Sequence, residues 1–175
     1  MIFFTADTHF SDPRILRLDK RPFPNLAAHD DALIERWNAA VRPEDEVWHL
    51  GDFAKGTPDE KAALLARLNG RKHLVAGNND DEATLSLPGW SSVSPYQELV
   101  VDGRKLVLCH YAFRTWNGSG KGALNLHGHS HGKLMPMSGQ YDVGVDVFPF
   151  RPVTLGDILI SRRRRKPETT SVGEL

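Results

Sequence analysis

The chain has 175 residues, and its 22 lysines and arginines balance 22 aspartates and glutamates. This length suits one hydrophobic core, so we expect a single domain over residues 1–161. The balanced charge excludes a strong overall attraction to nucleic acid or to a membrane surface, and no apolar run is long enough to cross a bilayer. Cys109 is the single cysteine, which excludes an internal disulfide. Together with the absence of a signal-peptide pattern, this indicates a cytoplasmic protein.

Short apolar runs alternate with helical patterns in the first half of the chain. Strands are predicted at Ile2–Ala6, Glu46–Leu50 and Lys72–Ala76. Asn25 is placed to cap a helix that runs to about Arg42, and Thr57-Pro58-Asp59-Glu60 predicts the capped start of a helix that stops before Gly70. The alternation of strand and helix favours a layered α/β core.

The second half of the chain is predicted to be rich in strands. Tyr96–Val101 and Lys105–Cys109 flank Asp102-Gly103, a dipeptide typical of a tight hairpin turn. Further strands are predicted at Ala123–Leu126 and Tyr141–Val147. Thr154 is placed to cap a last helix that ends near Ser161.

A basic run of four arginines and Lys166 opens the segment 162–175. Such runs are usually solvated, so we expect a disordered basic tail over these residues. A contact with nucleic acid is the alternative, because clustered cations attract phosphates.

Residues of metal-binding types follow most of the predicted strands. They are Asp7 and His9, Asp52, Asn78 with Asn79 and Asp80, His110, and His129 with His131. In open α/β sheets, sites form where strands end, and residues two apart in an extended segment point the same way. A mixture of imidazole with carboxylate or amide oxygen suits manganese, iron, zinc, cobalt or nickel. The pattern therefore predicts a transition-metal site.

The ordered motifs Asp-x-His, Gly-Asp, Gly-Asn-x-Asp, His and Gly-His-x-His, from Asp7 to His131, resemble the signature of calcineurin-like metallophosphoesterases. Tyr141 to Thr154 also resembles the ending of small prokaryotic and phage members. The resemblance implies an α/β (α+β) fold, a four-layer β-sandwich flanked by helices. It also implies two divalent transition-metal ions, with manganese expected first, and a metal-bridging hydroxide that attacks a phosphate ester in line.

The same resemblance implies the ligand sets. One ion would be held by Asp7, His9, Asp52 and His131. The other would be held by Asp52, Asn78, His110 and His129, so that Asp52 bridges the two ions.

Asn79 departs from the family pattern, in which a histidine usually stands between Asn78 and Asp80. A neutral amide donates a hydrogen bond but cannot deliver a proton as a general acid. With Asn78, Asn79 and Asp80 as the catalytic candidates, we therefore expect a phosphodiesterase acting on good leaving groups. The alternatives are a nucleotide or protein phosphomonoesterase and a non-catalytic metal-binding scaffold.

The loop after His110 is predicted to overhang the site and to contact a small phosphoester or nucleotide substrate. Arg114 could hold a phosphate oxygen, Trp116 could stack on a base, and Asn117 lies beside them; ordinary loop packing is the alternative. Four other histidines are expected to serve the fold, with His49, His73 and His127 in the core and His29 on the surface.

Overall fold

The computed structural model describes residues 1–165, with side chains as far as residue 161, and arranges them as two sheets. The five-stranded sheet contains β1 (Ile2–Thr5), β2 (Glu46–His49), β3 (Arg71–Val75), β4 (Trp90–Ser94) and β9 (Val153–Thr154). Its order is β4-β3-β2-β1-β9. Neighbouring strands are parallel except for β9, which is antiparallel to β1.

The four-stranded sheet has the order β5-β6-β7-β8. Its strands are β5 (Gln97–Val101), β6 (Arg104–Leu108), β7 (Leu124–His127) and β8 (Gln140–Asp142). β5 and β6 form the predicted antiparallel hairpin, with Asp102 and Gly103 both at positive φ, and β6, β7 and β8 are parallel. The carboxyl ends of the parallel strands are therefore free to meet at one edge of each sheet.

Five α-helices lie beside the sheets in the described chain: α1 (Ile15–Leu18), α2 (Leu26–Ala40), α3 (Pro58–Ala66), α4 (Glu82–Leu85) and α5 (Leu155–Arg165). Asn25 caps α2 by accepting from the Ala28 amide, and Thr57 and Glu60 form the predicted capping box of α3. None of these described helices is long and apolar enough to span a membrane.

Two buried clusters fix how these layers stack. Alternate residues of β1 point to opposite faces, so Phe3 packs under α2 and α3 whereas Phe4 packs between the sheets. Leu106 and Leu126 from the four-stranded sheet, and Ile158 from α5, complete the second cluster. The expected α/β sandwich with flanking helices is confirmed.

The prediction of a strand over Tyr141–Val147 is wrong beyond residue 142. Asp142 Oδ1 accepts from the Gly144 amide at 2.8 Å, which turns the chain out of the sheet. Val145 then donates to the Ala6 carbonyl at 3.0 Å, next to the bridge between Ala6 and Gly144. The segment after β8 thus crosses to the end of β1 and joins the two sheets.

The last helix, α5, continues to Arg165, four residues beyond the predicted end at Ser161. Thr154 and Asp157 form a reciprocal pair of side-chain to backbone bonds at its start. Residues 162–165 of the expected disordered tail are therefore helical, and residues 166–175 lie outside the described part of the chain.

Candidate metal centre

The loops that follow β1, β2, β3, β6 and β7 bring the predicted ligands together. Ligand atoms of Asp7, His9 and His131 all lie within 4.8 Å of one another, and so do those of Asp7, Asp52 and His110. His129 joins this group by its ring, whose centroid is 5.1 Å from that of His110. Asn78 joins through Oδ1, 2.9 Å from His110 Nε2. All seven residues expected to bind metal therefore surround one edge of the sandwich.

Five of these residues have a left-handed backbone, with φ between 47° and 65°: Asp7, His9, Asp52, His129 and His131. This region is sparsely populated by residues other than glycine, and such strain clusters at functional sites. Backbone hydrogen bonds between the loops hold this left-handed conformation in place. The Asp7 amide donates to the Gly51 carbonyl (2.9 Å), and the His9 amide donates to the Asp52 carbonyl (3.0 Å).

His9 is a good test of whether the cluster fits a cation. Its Nε2 is buried, has no hydrogen-bond partner among the described residues, and lies 3.5 Å from Asp52 Oδ2. Burial lowers the pKa of His9 to about 4, with smaller contributions from neighbouring charges. The ring therefore stays neutral over most of the pH range, and with the proton on Nδ1 its Nε2 presents an unused lone pair, as a metal ligand must.

His110 also directs its Nε2 into the site. Its Nδ1 lies 2.8 Å from the Leu50 carbonyl, which can only accept, so Nδ1 carries the proton. When the ring is neutral, Nε2 and Asn78 Oδ1 present lone pairs to the same space, 2.9 Å apart. A cation in that space would satisfy both atoms.

Asp52 lies between the two ligand groups. Its Oδ2 is 3.5 Å from His9 Nε2 and 3.6 Å from His110 Nε2. Burial opposes ionisation of Asp52, but His110 and the hydrogen bonds from Asn79 outweigh it, so its pKa lies below the ordinary value. Asp52 is therefore an ionised carboxylate facing both groups.

Asp7 has a different electrostatic environment. Burial raises the pKa of Asp7 well above its ordinary value, although His131 and the His129 amide oppose the rise. Its two oxygens each lie 3.0 Å from that amide. A divalent cation beside this carboxylate would compensate the cost of burying its charge.

Asn79 and Asp80, two of the catalytic candidates, both make hydrogen bonds at the site. The Asn79 side chain turns to Asp52, donating from Nδ2 to Oδ2 at 2.7 Å. Asp80 accepts from the amides of Asp52, Phe53 and Gly77 at 2.8–2.9 Å. Asp80 thus clamps the loops after β2 and β3, and its carboxylate is not directed toward the residue at position 79.

In the loop after His110, two of the three residues considered for substrate contact pack against the fold. Trp116 donates to the Ala123 carbonyl at 2.9 Å and packs on Gly139, and Asn117 donates to Glu98 at 2.9 Å. Both side chains are thus engaged with the four-stranded sheet, as ordinary loop packing predicts. Arg114 is exposed.

Tyr111 also lies at the site, although the motifs did not predict it. Its ring lies 4.7 Å from the His129 ring and 5.2 Å from the His110 ring, with 47% of the residue exposed. It therefore forms an aromatic wall at the mouth of the site. Its position directly after the His110 motif was the available signal.

The remaining histidines follow the expectation with one exception. His49 and His127 are buried, and His73 is partly buried and stacks on Trp48 at 4.4 Å. His29, expected on the surface, has no exposed area. Its ring is held by Arg21 and Asp30, both at 2.7–2.8 Å, and a helical pattern does not reveal such partners.

The fold and this cluster define a metallophosphoesterase. The profile of the calcineurin-like phosphoesterase superfamily domain matches residues 1–161. The chain belongs to this superfamily, which makes it a metal-dependent hydrolase of phosphoric esters and confirms the family indicated by its motifs.

The chain is also similar to other proteins over most of their length. The chain is 30% identical to the gene 66 protein of Mycobacterium phage D29, over 84% of this chain and 88% of that protein. It is 26% identical to an uncharacterized protein of Methanocaldococcus jannaschii, over 99% and 97% of the two chains. The crystal structure of a protein of unknown function from Aquifex aeolicus shares the fold, with a TM-score of 0.72, 23% identity, and coverage of 91% of this chain and 98% of the other.

Proposed function

We propose that the protein is a phosphodiesterase that works with two divalent transition-metal ions, most simply Mn²⁺. The observation that carries this proposal is the position of Asp52, whose Oδ2 faces His9 Nε2 at 3.5 Å and His110 Nε2 at 3.6 Å. Asp7, His9 and His131 would complete one site, and Asn78, His110 and His129 the other.

Ions bound by these residues would supply Lewis acidity, which activates water and neutralises charge on phosphate oxygens. The chain's own residues prepare the site for that chemistry. Asp52 stays ionised, and the Leu50 carbonyl fixes the tautomer of His110. Asp80 holds the loops after β2 and β3 together by accepting hydrogen bonds from three backbone amides.

The preference for diesters rests on Asn79. A histidine at this position could protonate a leaving oxygen, whereas the Asn79 amide donates to Asp52 and has no proton to release. Without such an acid, esters with poor leaving groups lose roughly 100-fold to 10,000-fold in rate. Phosphodiesters whose leaving group carries negative charge well are then better substrates than simple alkyl monoesters.

Tyr111 supports a substrate with an organic group near the phosphate. Its ring is exposed and stands beside His110 and His129. Aromatic faces stack on nucleobases and aryl groups. A small aryl or nucleoside phosphodiester would therefore fit this mouth of the site.

The test combines metal analysis with two substrates. The protein is stripped of metal, reloaded with Mn²⁺, and assayed on bis-p-nitrophenyl phosphate and p-nitrophenyl phosphate. We expect two ions per chain and a higher kcat/KM for the diester, and Asp52→Ala should lose both metal and turnover. A protein that binds one ion, or that prefers the monoester at full loading, would contradict the proposal.

A further inference from the structure

A buried arginine, Arg21, joins the loop after β1 to the segment after β8. Its side chain has no exposed area, which is rare for arginine unless it is paired. Nε and Nη2 donate to the two carboxylate oxygens of Asp146 at 2.9 and 2.7 Å, although the residues are 125 positions apart. The same guanidinium donates to the Asp7 carbonyl at 2.6 Å and the Thr8 carbonyl at 2.8 Å.

Asp146 extends this connection to a ligand of the candidate centre. Its Oδ2 lies 2.7 Å from His131 Nδ1. A carboxylate can only accept, so Nδ1 carries the proton, and Nε2 of the neutral ring keeps its lone pair for a cation. Arg21 thus acts on His131 through Asp146.

On its other side, Arg21 contacts the start of α2. Arginine can only donate, so His29 Nε2 accepts from it at 2.8 Å and His29 Nδ1 donates to Asp30 Oδ1 at 2.7 Å. Asp30 in turn accepts from the amide and hydroxyl of Ser11 at 3.0 and 3.1 Å. Ser11 is also left-handed, with φ at 57°. The hydrogen bonds through Arg21, His29 and Asp30 therefore hold the left-handed loop 7–11 at both of its ends.

We propose that Arg21 is a positioning residue for metal binding. It holds the loop of Asp7 and His9 in its left-handed conformation and, through Asp146, sets the orientation of His131. The group of Asp7, His9 and His131 is then assembled before a cation arrives. This inference rests on the proposed function, because it treats that group as a metal site. Lysine cannot replace Arg21, since a single ammonium lacks the planar fork that reaches a carboxylate and two carbonyls together.

The first test measures metal affinity. Metal-free wild type, Arg21→Met, Arg21→Lys and Asp146→Ala are titrated with Mn²⁺ by calorimetry. We expect each variant to lose about 10-fold to 100-fold in affinity at one site, the loss typical when the partner of a ligand is removed. The other site should bind as in wild type. Wild-type affinity at both sites in folded Arg21→Met and Asp146→Ala would overturn the proposal.

Two control variants separate positioning from general stability. Arg36 contacts the same Phe150 ring as Arg21, at 5.7 against 5.9 Å, but its hydrogen bond goes to the Pro149 carbonyl. Leu65 of α3 is fully buried under the helical layer, where its side chain faces Gly89. Arg36→Met and Leu65→Ala should bind metal as wild type does. An equal loss in Leu65→Ala would show that Arg21 acts through stability alone.

The second test needs no metal and therefore separates this inference from the proposed function. Nitrogen NMR of the metal-free protein at alkaline pH, where the imidazole ring is neutral, reports which ring nitrogen of His131 is protonated. We expect the Nδ1–H form in wild type and its loss in Asp146→Ala. An Nε2–H form in wild type would overturn the positioning role, even if Arg21→Met failed to fold. A wild type that binds no metal but shows the Nδ1–H form would instead count against the proposed function.

Discussion

Asn79 is the residue whose replacement tests proton delivery most directly. Asn79→His adds a group that can protonate a leaving oxygen, and such help matters most where that oxygen carries negative charge poorly. We expect kcat/KM for an alkyl phosphate to rise by about 10-fold or more relative to that for bis-p-nitrophenyl phosphate. The measurement is the ratio of the two values in wild type and variant at matched metal content.

Asn79→Gln is the matched control, because it keeps an amide that cannot act as an acid. Its ratio should stay at the wild-type value. If Asn79→His leaves the ratio unchanged while binding its full complement of metal, position 79 does not govern proton delivery. The diester preference would then lose its main support.

His49 gives the metal-free protein a pH-dependent stability. The Thr8 hydroxyl donates to the Phe53 carbonyl at 2.8 Å, so it must accept from His49 Nε2 at 2.9 Å. Burial lowers the pKa of His49 from 6.5 to about 3. Between these values the unfolded chain binds a proton that the folded chain does not. The free energy of unfolding therefore falls as pH falls through this window, with a slope from His49 approaching about 1.4 kcal/mol per pH unit.

His49→Gln should flatten that slope, because glutamine can still donate to Thr8 but does not ionise. Urea unfolding of metal-free wild type and variant across the window measures the difference. His9, whose pKa is also lowered, is present in both proteins and cancels in the comparison. Parallel pH profiles would show that His49 titrates at its ordinary pKa in the folded chain.

At the scale of helices and strands, the sequence predicted the helix starts and the turn that neighbouring residues determine. Asn25 and the capping box of α3 mark helix starts because each satisfies amides within three residues. Asp102-Gly103 marks its hairpin because both residues adopt positive φ. The ligand motifs were visible for a similar reason, since each occupies a short loop directly after a strand.

Contacts between distant segments could not be predicted in this way. Arg21 lies in a polar segment without periodicity, and its partner Asp146 is 125 residues further along the chain. The chain leaves β8 at Asp142 because the end of β1 offers it a new partner, Ala6. The edge strand β4, Trp90–Ser94, has three serines among five residues and lacks the apolar run that identified the central strands.

At Gly128 the two sheets approach each other closely beside the site. A Cβ at this position would lie 2.6 Å from Ala6 Cβ and 2.8 Å from Asp7 Oδ2. Gly128→Ala should push the ends of β1 and β7 apart, lowering turnover by at least about 10-fold and stability by about 1–3 kcal/mol. Metal content, turnover and urea unfolding measure these effects.

Gly120→Ala is the control, because a Cβ there meets nothing within 4 Å in the described structure. It should leave metal content and turnover unchanged. A Gly128→Ala protein with wild-type metal content and turnover would show that the approach of β1 and β7 does not shape the site.

For the whole molecule, the segment beyond residue 161 should be dispensable for catalysis. The family match ends at residue 161, and all the candidate ligands precede residue 132. A chain ending at Ser161 keeps Leu155 and Ile158, the buried residues of α5 in the inter-sheet cluster. We expect wild-type turnover on bis-p-nitrophenyl phosphate.

Comparison with an oligonucleotide substrate separates the two roles considered for the basic segment. A fall confined to the oligonucleotide would favour a contact between its arginines and nucleic acid, since such contacts depend on phosphate charge. A large fall on the small substrate would show that the segment is needed for the chemistry.

The bridge between Ala6 and Gly144 also bears on when the site can form during synthesis of the chain. β1 leaves the ribosome well before its antiparallel neighbour β9 and the residues that pair with its end, which come from positions 144–154. A nascent chain released as far as residue 109 contains Asp7, His9, Asp52 and Asn78 but none of the histidines of the second sheet. On the proposed assignment, metal loading follows completion of the fold, and a chain cut short in translation holds no working centre.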